Sequence, residues 1–295
     1  MLQVVTHAFF EQGDFADKEL LELTYKNLNK ELSEEKWLRN LPTVHLSLGV
    51  DASFLFREFG KHALTLYKLL FLEKRVVVYS SPVGKSCNTF LSLLSLFPGL
   101  LSSISAYTRP STEDLQKHNF KGYGHPLTLL KNQEVLLEPY LSLHHLDDVK
   151  KKKGFLFGCS NLLFTSLPSR DVDVVVDLNK KSIQVHPKDL DSALKLTSAD
   201  ERFLSHLLFH INNNCNGEWK GSDSWVRAEM RAYLETFYAC LANVPHIFDK
   251  RNRTVDVSDL YDYNITWVRM WMKTQNFKKW FKSVDPKVIS RPGAR

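Results

Sequence analysis

The feature that most constrains the fold is a short strand pattern between two helical patterns, within Lys61–Leu101. Arg75–Tyr79 is rich in β-branched residues, which predicts a strand covered on both faces. Apolar residues recur at three- and four-residue spacing before this run and again from Val83 onward, which predicts a helix on each side. Ser80–Pro82 separates the strand from the second helix, and Pro98-Gly99 ends that helix. Helix–strand–helix is the repeating unit of an α/β layer, so we predict an α/β fold.

The turn after this strand partly matches a phosphate-binding loop. Gly84-Lys85-Ser86 lies between a strand and a helix, as in nucleoside triphosphatases. However, Tyr79 occupies the position of the required first glycine, and Pro82 removes an amide that would bind phosphate. A second partial match is Val172–Asp177, an apolar strand that ends on a carboxylate. We therefore favour a structural role for this turn, with a solvated Lys85, over a nucleotide site.

The sequence contains no complete motif for a chemical active site. It lacks the GxSxG, HExxH and CxxC patterns. Cys87 near the start of a helix could be an activated thiolate, but the nearest histidine in sequence, His62, has no predicted position beside it. His118, His125 and the adjacent pair His144-His145 lack the spacing of metal ligands. We expect no cofactor and no metal, and an interaction protein is favoured over a chemical enzyme.

Composition favours an intracellular chain with one large or two smaller domains. The chain has 295 residues, of which 43% are hydrophobic. Its four cysteines are far apart, which predicts buried thiols in a reducing compartment. No secretory signal and no apolar run of the roughly 20 residues that span a bilayer is evident. The net charge of +6 fits either an acidic membrane surface or simple solubility.

The N-terminal region has the pattern of a strand followed by a long helix. Leu2–Phe10 is a small apolar run, and the turn Gln12-Gly13-Asp14 follows it. Asp14 is a suitable N-cap for a helix to about Lys36. Alone, this segment cannot bury its apolar side chains.

Further strands and helices are predicted along the rest of the chain. The predicted strands are Val135–Tyr140, Phe155–Phe157, Leu162–Thr165, Val172–Leu178 and Ser182–His186, the last two joined by a tight turn at Asn179–Lys181. The predicted helices are Phe54–Leu70, capped by Asp51, then one from a capping box at Ser198–Glu201 to Ile211, then Trp225–Leu241 and Leu260–Phe281.

A run of four lysines precedes the second of these strands. Lys150, Lys151, Lys152 and Lys153 can form a solvated loop or a contact with acidic lipid or a partner. Near a charged membrane each lysine adds about 1 kcal/mol of binding free energy. Both interpretations stay open.

Several blocks of the chain, in order, are similar to a known family. They are THAFFEQGDF (6–15), the helix at His62–Lys74, the strand and break at Val76–Pro82, LSLFPG (94–99), GFLFGCSNLLF (154–164), Trp219–Arg227 and Trp271–Trp280. These blocks resemble the DENN module, a family that acts on Rab GTPases, and most closely its branch named for the Avl proteins of the late secretory pathway. The similarity covers nearly the whole chain.

The resemblance implies a two-lobed clamp that holds a Rab-family small GTPase. Residues 1–40 would be the remnant of a longin-like lobe, 41–186 a central DENN α/β domain, and 187–295 a helical C-terminal subdomain. Because the sheet of the longin-like lobe has no counterpart here, we expect a truncated chain with weak nucleotide exchange or none. The implied function is exchange-factor-like regulation in post-Golgi vesicle traffic, and the alternative is a non-catalytic trafficking adaptor. The implied location is the cytoplasmic side of Golgi, endosomal or secretory-vesicle membranes; no nucleic-acid partner and no catalytic residue is implied.

Overall fold

The computed structural model describes residues 2–32, 50–98, 100, 135–214, 219–242 and 258–284. The chain divides into two compact units, residues 1–48 and residues 49–295. Within the described ranges, no helix is both long enough and apolar enough to cross a membrane.

The described part of the first unit is a pair of helices, α1 (Leu2–Glu11) and α2 (Glu19–Leu32). The predicted strand at Leu2–Phe10 is therefore wrong, because a short apolar run is compatible with either a strand or one face of a helix. The rings of Phe9, Phe10 and Phe15 have centroids 5.7 to 5.8 Å apart, and this cluster joins α1 to the turn that follows it. Helix α2 begins four residues later than predicted, and residues 33–36 lie outside the described part of the chain.

The second unit contains a five-stranded sheet of order β2-β3-β1-β4-β5. The strands are β1 (Arg75–Tyr79), β2 (Val135–Glu138), β3 (Gly154–Cys159), β4 (Val174–Asp177) and β5 (Ser182–Val185). Strand β1 lies in the middle and pairs in parallel with β3 and β4; β2 is parallel to β3, and β5 is antiparallel to β4. The predicted α/β class, the buried β1 and the tight β4–β5 turn are confirmed.

Helices cover one face of the sheet, and short 3₁₀ and α-helical turns cover the other. Three helices before β2 form part of the larger layer, namely α3 (Ala52–Phe59), α4 (Lys61–Leu70) and α5 (Val83–Ser95). Alternate residues of β1 point to opposite faces, so that Val76 and Val78 join the large core and Val77 joins the small one. The small core is closed by the 3₁₀ helix Leu162–Ser166 and by α6 (Leu146–Lys150), and a further 3₁₀ helix, Leu143–His145, precedes α6.

Two predicted elements in this region differ in the structure. The helix predicted over Phe54–Leu70 is two helices, because the chain breaks at Gly60 with φ of +49°. The predicted cap Asp51 is confirmed, since its side chain accepts a hydrogen bond from Phe54 N. The strand predicted at Leu162–Thr165 is a 3₁₀ helix instead, because the Asn161 side chain caps Leu163 N and starts a helical turn.

Helices after β5 pack in the same large core as α3–α5. They are α7 (Lys188–Leu194), α8 (Ser198–Asn213), α9 (Asp223–Ala242), α10 (Ser258–Tyr261), α11 (Ile265–Trp271) and α12 (Gln275–Ser283). The helix predicted over Leu260–Phe281 is three, because Asn264 and Thr274 each cap a new helix. The capping box of α8 is formed by Thr197 and Asp200, one residue earlier than predicted.

A fully buried ion pair connects the sheet-covering helices to the later ones. Lys68 of α4 donates to the carboxylate of Asp200 on α8, and both side chains are completely inaccessible to solvent. Asp200 also accepts from the Tyr233 hydroxyl at 2.8 Å and from Thr197 N at 3.0 Å. Trp267 of α11 donates its indole N–H to the Lys68 carbonyl at 2.9 Å. Four helices thus meet at one polar cluster inside an apolar core.

Candidate functional site

Polar groups of the connection between β1 and α5 form hydrogen bonds with other groups of the protein. Ser80 Oγ accepts from Ser86 N at 2.9 Å and donates to the Pro82 carbonyl at 2.9 Å. Lys85 Nζ donates to the Leu178 carbonyl at 3.1 Å, and the side chain is half-buried. The prediction of a solvated Lys85 therefore does not hold. The amide and the ammonium that would bind phosphate in a phosphate-binding loop have partners within the protein. This geometry supports the structural interpretation of the turn.

The carboxylate that ends β4 also has a structural role. Asp177 Oδ1 accepts from Asn179 N and Lys180 N, both at 3.0 Å, which closes the β4–β5 turn. In the part of the chain that the structure describes, no group of three or more His, Cys, Asp or Glu residues could hold a metal ion. His144 and His145 lie in a 3₁₀ helix, while His118 and His125 lie outside the described residues.

The three cysteines that the structure describes are buried or half-buried. Cys159 is buried at the end of β3, and burial raises the pKa of its thiol to about 12 although a backbone hydrogen bond at Asn161 opposes the shift. Cys87 is half-buried, and its Sγ is 3.5 Å from the Pro139 carbonyl oxygen. The structure therefore gives no support for an activated thiolate paired with His62.

The four lysines lie at the end of α6 and in the turn before β3. Lys150 is 3.9 Å from Asp147, and Lys151 is 3.0 Å from Asp148, so these two lysines are paired within their own helical turn. The hydrogen bond and the charge of Lys151 lower the pKa of the fully exposed Asp148. A role of Lys150–Lys153 in membrane or partner contact stays a prediction.

One of these lysines, Lys152, borders an open groove between β2 and α6. Its volume is about 320 Å³, and its lining includes Leu136, Glu138, His145 and Lys152. Carboxylate, imidazole and ammonium groups therefore line the same groove as aliphatic side chains, beside the edge strand β2.

Four large apolar side chains are exposed at the carboxyl end of the sheet, in the connections that follow β2 and β3. Tyr140, Leu143, Leu162 and Leu163 are between 38% and 61% accessible to solvent. Because β2 and β3 are parallel neighbours, both connections begin at the same end of the sheet. We call these four residues the carboxyl-edge patch. Exposed apolar groups in one region mark interaction surfaces more often than scattered ones do.

Buried neighbours hold the carboxyl-edge patch in place. Phe164 is completely buried, and its ring centroid is 5.1 Å from that of Phe157 in β3, so the preceding leucines face solvent. Leu141 N donates to the Gly158 carbonyl at 2.8 Å. A Cβ at Gly158 would lie 2.2 Å from the Pro139 carbonyl oxygen, so the connection after β2 packs directly against β3. Sequence reasoning misses this surface because the pattern of Leu162–Thr165 predicts a strand.

The segment Trp219–Arg227 holds helices together. Asp223 Oδ1 accepts from Ser53 N at 2.9 Å, at the start of α3. Arg227 donates to the Val50 carbonyl at 2.6 Å and to Ser95 Oγ at 3.3 Å. This motif therefore fixes α9 to the start of α3 and the end of α5, which is a packing role.

Comparison with known proteins then decides the family. The family model described as transport protein Avl9 matches residues 1–241. This chain belongs to the Avl9 family. The matched range covers the five-stranded sheet, the carboxyl-edge patch and the helices through most of α9, so the resemblance to the Avl branch is confirmed. The wider relationship to DENN modules stays a prediction.

Two curated relatives show how much of the Avl9 architecture is present. The chain is 25% identical over 311 residues to the late secretory pathway protein AVL9 of Saccharomyces cerevisiae, a match that covers 94% of this chain and 40% of the relative. It is 26% identical over 313 residues to the late secretory pathway protein avl9 of Schizosaccharomyces pombe, covering 96% of this chain and 64% of the relative. The chain thus spans about two fifths and about two thirds of the lengths of these two proteins.

Proposed function

We propose that this chain regulates a Rab-family small GTPase in late secretory, post-Golgi traffic, at the step of nucleotide exchange. Two relatives whose names place them in the late secretory pathway support the cellular process. The resemblance of the sequence blocks to DENN modules supports the GTPase partner. The chain acts at the cytoplasmic side of Golgi, endosomal or secretory-vesicle membranes.

Exchange of this kind needs binding surface instead of a reacting group. A partner that binds the nucleotide-free GTPase more tightly than the nucleotide-bound form must lower the affinity for nucleotide by the same factor. A rigid docking surface is therefore sufficient, and closed turns such as Ser80–Ser86 and Asp177–Lys180 are compatible with it.

The observation that carries the proposal is the carboxyl-edge patch. Its exposed leucines, Leu162 and Leu163, are presented by a turn that the buried Phe164 anchors. Ligands and partners of α/β sheets commonly bind at the carboxyl ends of the strands. We place the GTPase contact on this patch, because an apolar surface held by a packed core loses little conformational freedom on binding.

The test uses the full chain with a panel of Rab proteins loaded with fluorescent GDP. We expect binding to one or a few of them, and accelerated GDP release from the bound one. The double variant Leu162→Asp/Leu163→Asp should lose binding and release together while keeping its unfolding midpoint. Phe209→Asp is the matched control, because Phe209 is equally exposed, at 63%, but lies on α8 away from the sheet edge. Equal binding by the double variant and by the unchanged chain would remove the patch from the proposal.

A non-catalytic adaptor is the second candidate function. The carboxyl-edge patch supports it as well, because a surface that binds both nucleotide states of a GTPase equally does not change the affinity for nucleotide. Binding to a Rab without GDP release would support the adaptor. Absence of binding to every member of the panel would refute both forms of the proposal.

A further inference from the structure

The positive charge of this chain is concentrated in its last 31 residues. Residues 265–295 contain eight of the 39 Lys and Arg residues and one of the 33 Asp and Glu residues, a net charge of +7. The other 264 residues contain 31 basic and 32 acidic residues, a net charge of −1. The whole excess of positive charge thus lies in one segment, and long-range attraction to an anionic surface would act on that segment.

The structure describes the first part of this segment, helices α11 and α12 and the turn between them. Its basic residues are Arg269, Lys273, Lys278, Lys279 and Lys282, and residues 265–284 contain no Asp or Glu. Four of the five side chains are exposed, and Lys279 is partly buried. We call these five residues the basic face. None of them forms an ion pair with any residue that the structure describes.

Some basic groups elsewhere in the second unit are paired with carboxylates. Lys150 and Lys151 are paired with carboxylates of α6, and Lys181 is 3.0 Å from Glu58. Arg75 is paired with Asp173 at 2.8 Å. Their charges are partly balanced by these carboxylates, whereas the basic face has no ion-pair partner among the described residues, so the solvent anions that gather there can be replaced by an anionic partner.

Core contacts hold α12 so that its lysines point outward. Phe277 and Trp280 are buried, and the Trp280 ring stacks on Tyr238 with centroids 5.0 Å apart. At the start of the helix, the Glu73 carboxylate accepts from Gln275 N at 3.0 Å and from Asn276 N at 2.7 Å. The helix is therefore fixed at its N-terminus and along one face.

The outward side of α12 combines positive charge with an exposed aromatic ring. Lys278 and Lys282 are four residues apart, which places them on one face of the helix. Phe281 lies beside them and is 38% exposed. Lysines next to a partly exposed aromatic side chain on the outward face of an anchored helix are typical of a segment that lies at a membrane–water interface.

We propose that the basic face of α11–α12 docks this chain onto an anionic lipid bilayer, with Phe281 inserted among the headgroups. A bilayer is favoured over an acidic protein because four of the five groups are lysines, which act as hydrated point charges and suit a diffuse anionic surface better than a fixed bidentate partner. This surface is separate from the carboxyl-edge patch, so a bound membrane and a bound GTPase occupy different residues of the chain.

The test measures binding of the full chain to phosphatidylcholine vesicles with and without about 30 mol % phosphatidylserine, which gives the vesicles a negative surface potential. We expect binding only to the anionic vesicles, and weaker binding as salt rises. The variant Lys278→Glu/Lys279→Glu/Lys282→Glu should lower the partition coefficient by roughly 100-fold or more, since each lysine near such a surface contributes about a factor of five. Phe281→Ser should lower it by a smaller factor at every salt concentration.

The variant Lys150→Glu/Lys151→Glu/Lys152→Glu is the matched control, with the same change of six charge units at a site where two lysines are already paired. We expect it to retain most of the binding. Absence of vesicle binding by the unchanged chain, or an equal loss in both triple variants, would overturn the proposal.

Near-ultraviolet circular dichroism and the unfolding midpoint should be unchanged in the α12 variant, because the substituted side chains lie outside the apolar core. GDP-release assays in solution separate this result from the GTPase proposal, since the α12 variant should behave like the unchanged chain there.

Discussion

The substitution Lys68→Met tests how the two halves of the large core are held together. Lys68 Nζ is the counter-charge of Asp200, and neither side chain reaches solvent. Burial lowers the pKa of Lys68, while the charge and the hydrogen bond of Asp200 raise it, so desolvation is the larger effect. In Lys68→Met, Asp200 keeps the hydrogen bonds from Tyr233 and Thr197 but loses its ion pair inside an apolar core.

The expected effect is large because one buried charge is left without a partner. Breaking a buried pair by removing one member costs about 3–5 kcal/mol of unfolding free energy. For a unit of this size, 1 kcal/mol shifts the melting temperature by about 2–4 °C, so the shift should be roughly 6–20 °C. The double variant Lys68→Met/Asp200→Asn removes both charges, and we expect it to lose less stability than the two single losses added together.

Urea unfolding followed by tryptophan fluorescence is a suitable assay, because Trp267 donates its indole N–H to the Lys68 carbonyl. The matched control is Lys61→Met, which changes an exposed lysine on the same helix and should stay within about 0.5 kcal/mol of the unchanged chain. A loss below about 1 kcal/mol in Lys68→Met, or strict additivity in the double variant, would refute the argument that the pair acts as one buried unit.

Four further measurements probe other parts of the molecule. Burial alone would raise the pKa of Asp173, but hydrogen bonds from Arg75 and its charge hold that pKa below the usual 3.8. The ionised Asp173 therefore stabilises the fold above about pH 4, and this contribution is lost as the pH falls further. Between about pH 5 and 3, the urea midpoint of Asp173→Asn should fall less steeply than that of the unchanged chain. Gly221→Ala should lower the unfolding free energy by roughly 1–3 kcal/mol, because φ is +86° and the new Cβ would lie 2.2 Å from the His210 carbonyl oxygen. Gly84→Ala is the control, because its new Cβ meets open space on helix α5; this change should be neutral or slightly stabilising. Mg-GTP and Mg-ATP should not raise the melting temperature, and a shift that disappears in Lys85→Ala would show that the β1–α5 turn binds nucleotide after all. Backbone amides of α2 should exchange hydrogen faster than those of α4, since most α2 side chains are exposed while those of α4 are mostly buried; equal protection in mass-spectrometric exchange would contradict this.

Local sequence signals predict those parts of the fold that depend on neighbouring residues. The β-branched run Arg75–Tyr79 is the central strand. Asp51 caps the helix that begins directly after this residue, as predicted. Tyr79 in place of glycine and the presence of Pro82 indicate a structural role for this turn, and the hydrogen bonds of Ser80 and Lys85 agree with that interpretation. In each case the responsible group and its effect lie within a few residues of each other along the chain.

Predictions fail where a short apolar run fits two structures. Leu2–Phe10 and Leu162–Thr165 both have the pattern of strands, and both are helical. The run at Leu260–Phe281 has one continuous apolar pattern, although the structure divides it into three helices. Each interruption depends on one capping residue, Asn264 or Thr274, which does not change the apolar spacing. Periodicity alone does not distinguish these cases.

By itself, the sequence determined the α/β class, the central strand, the β4–β5 turn and the family. Only the tertiary structure decided which side chains form surfaces. Lys68 and Asp200 are 132 residues apart, and nothing local to either one indicates their pairing. The exposure of Leu162 and Leu163 depends on the burial of Phe164 against β3, and the availability of Lys278 and Lys282 depends on how Trp280 packs. The physical reason is that the solvent exposure and the ionic partners of a side chain depend on elements distant in sequence, whereas caps, turns and strand propensity depend on its immediate neighbours.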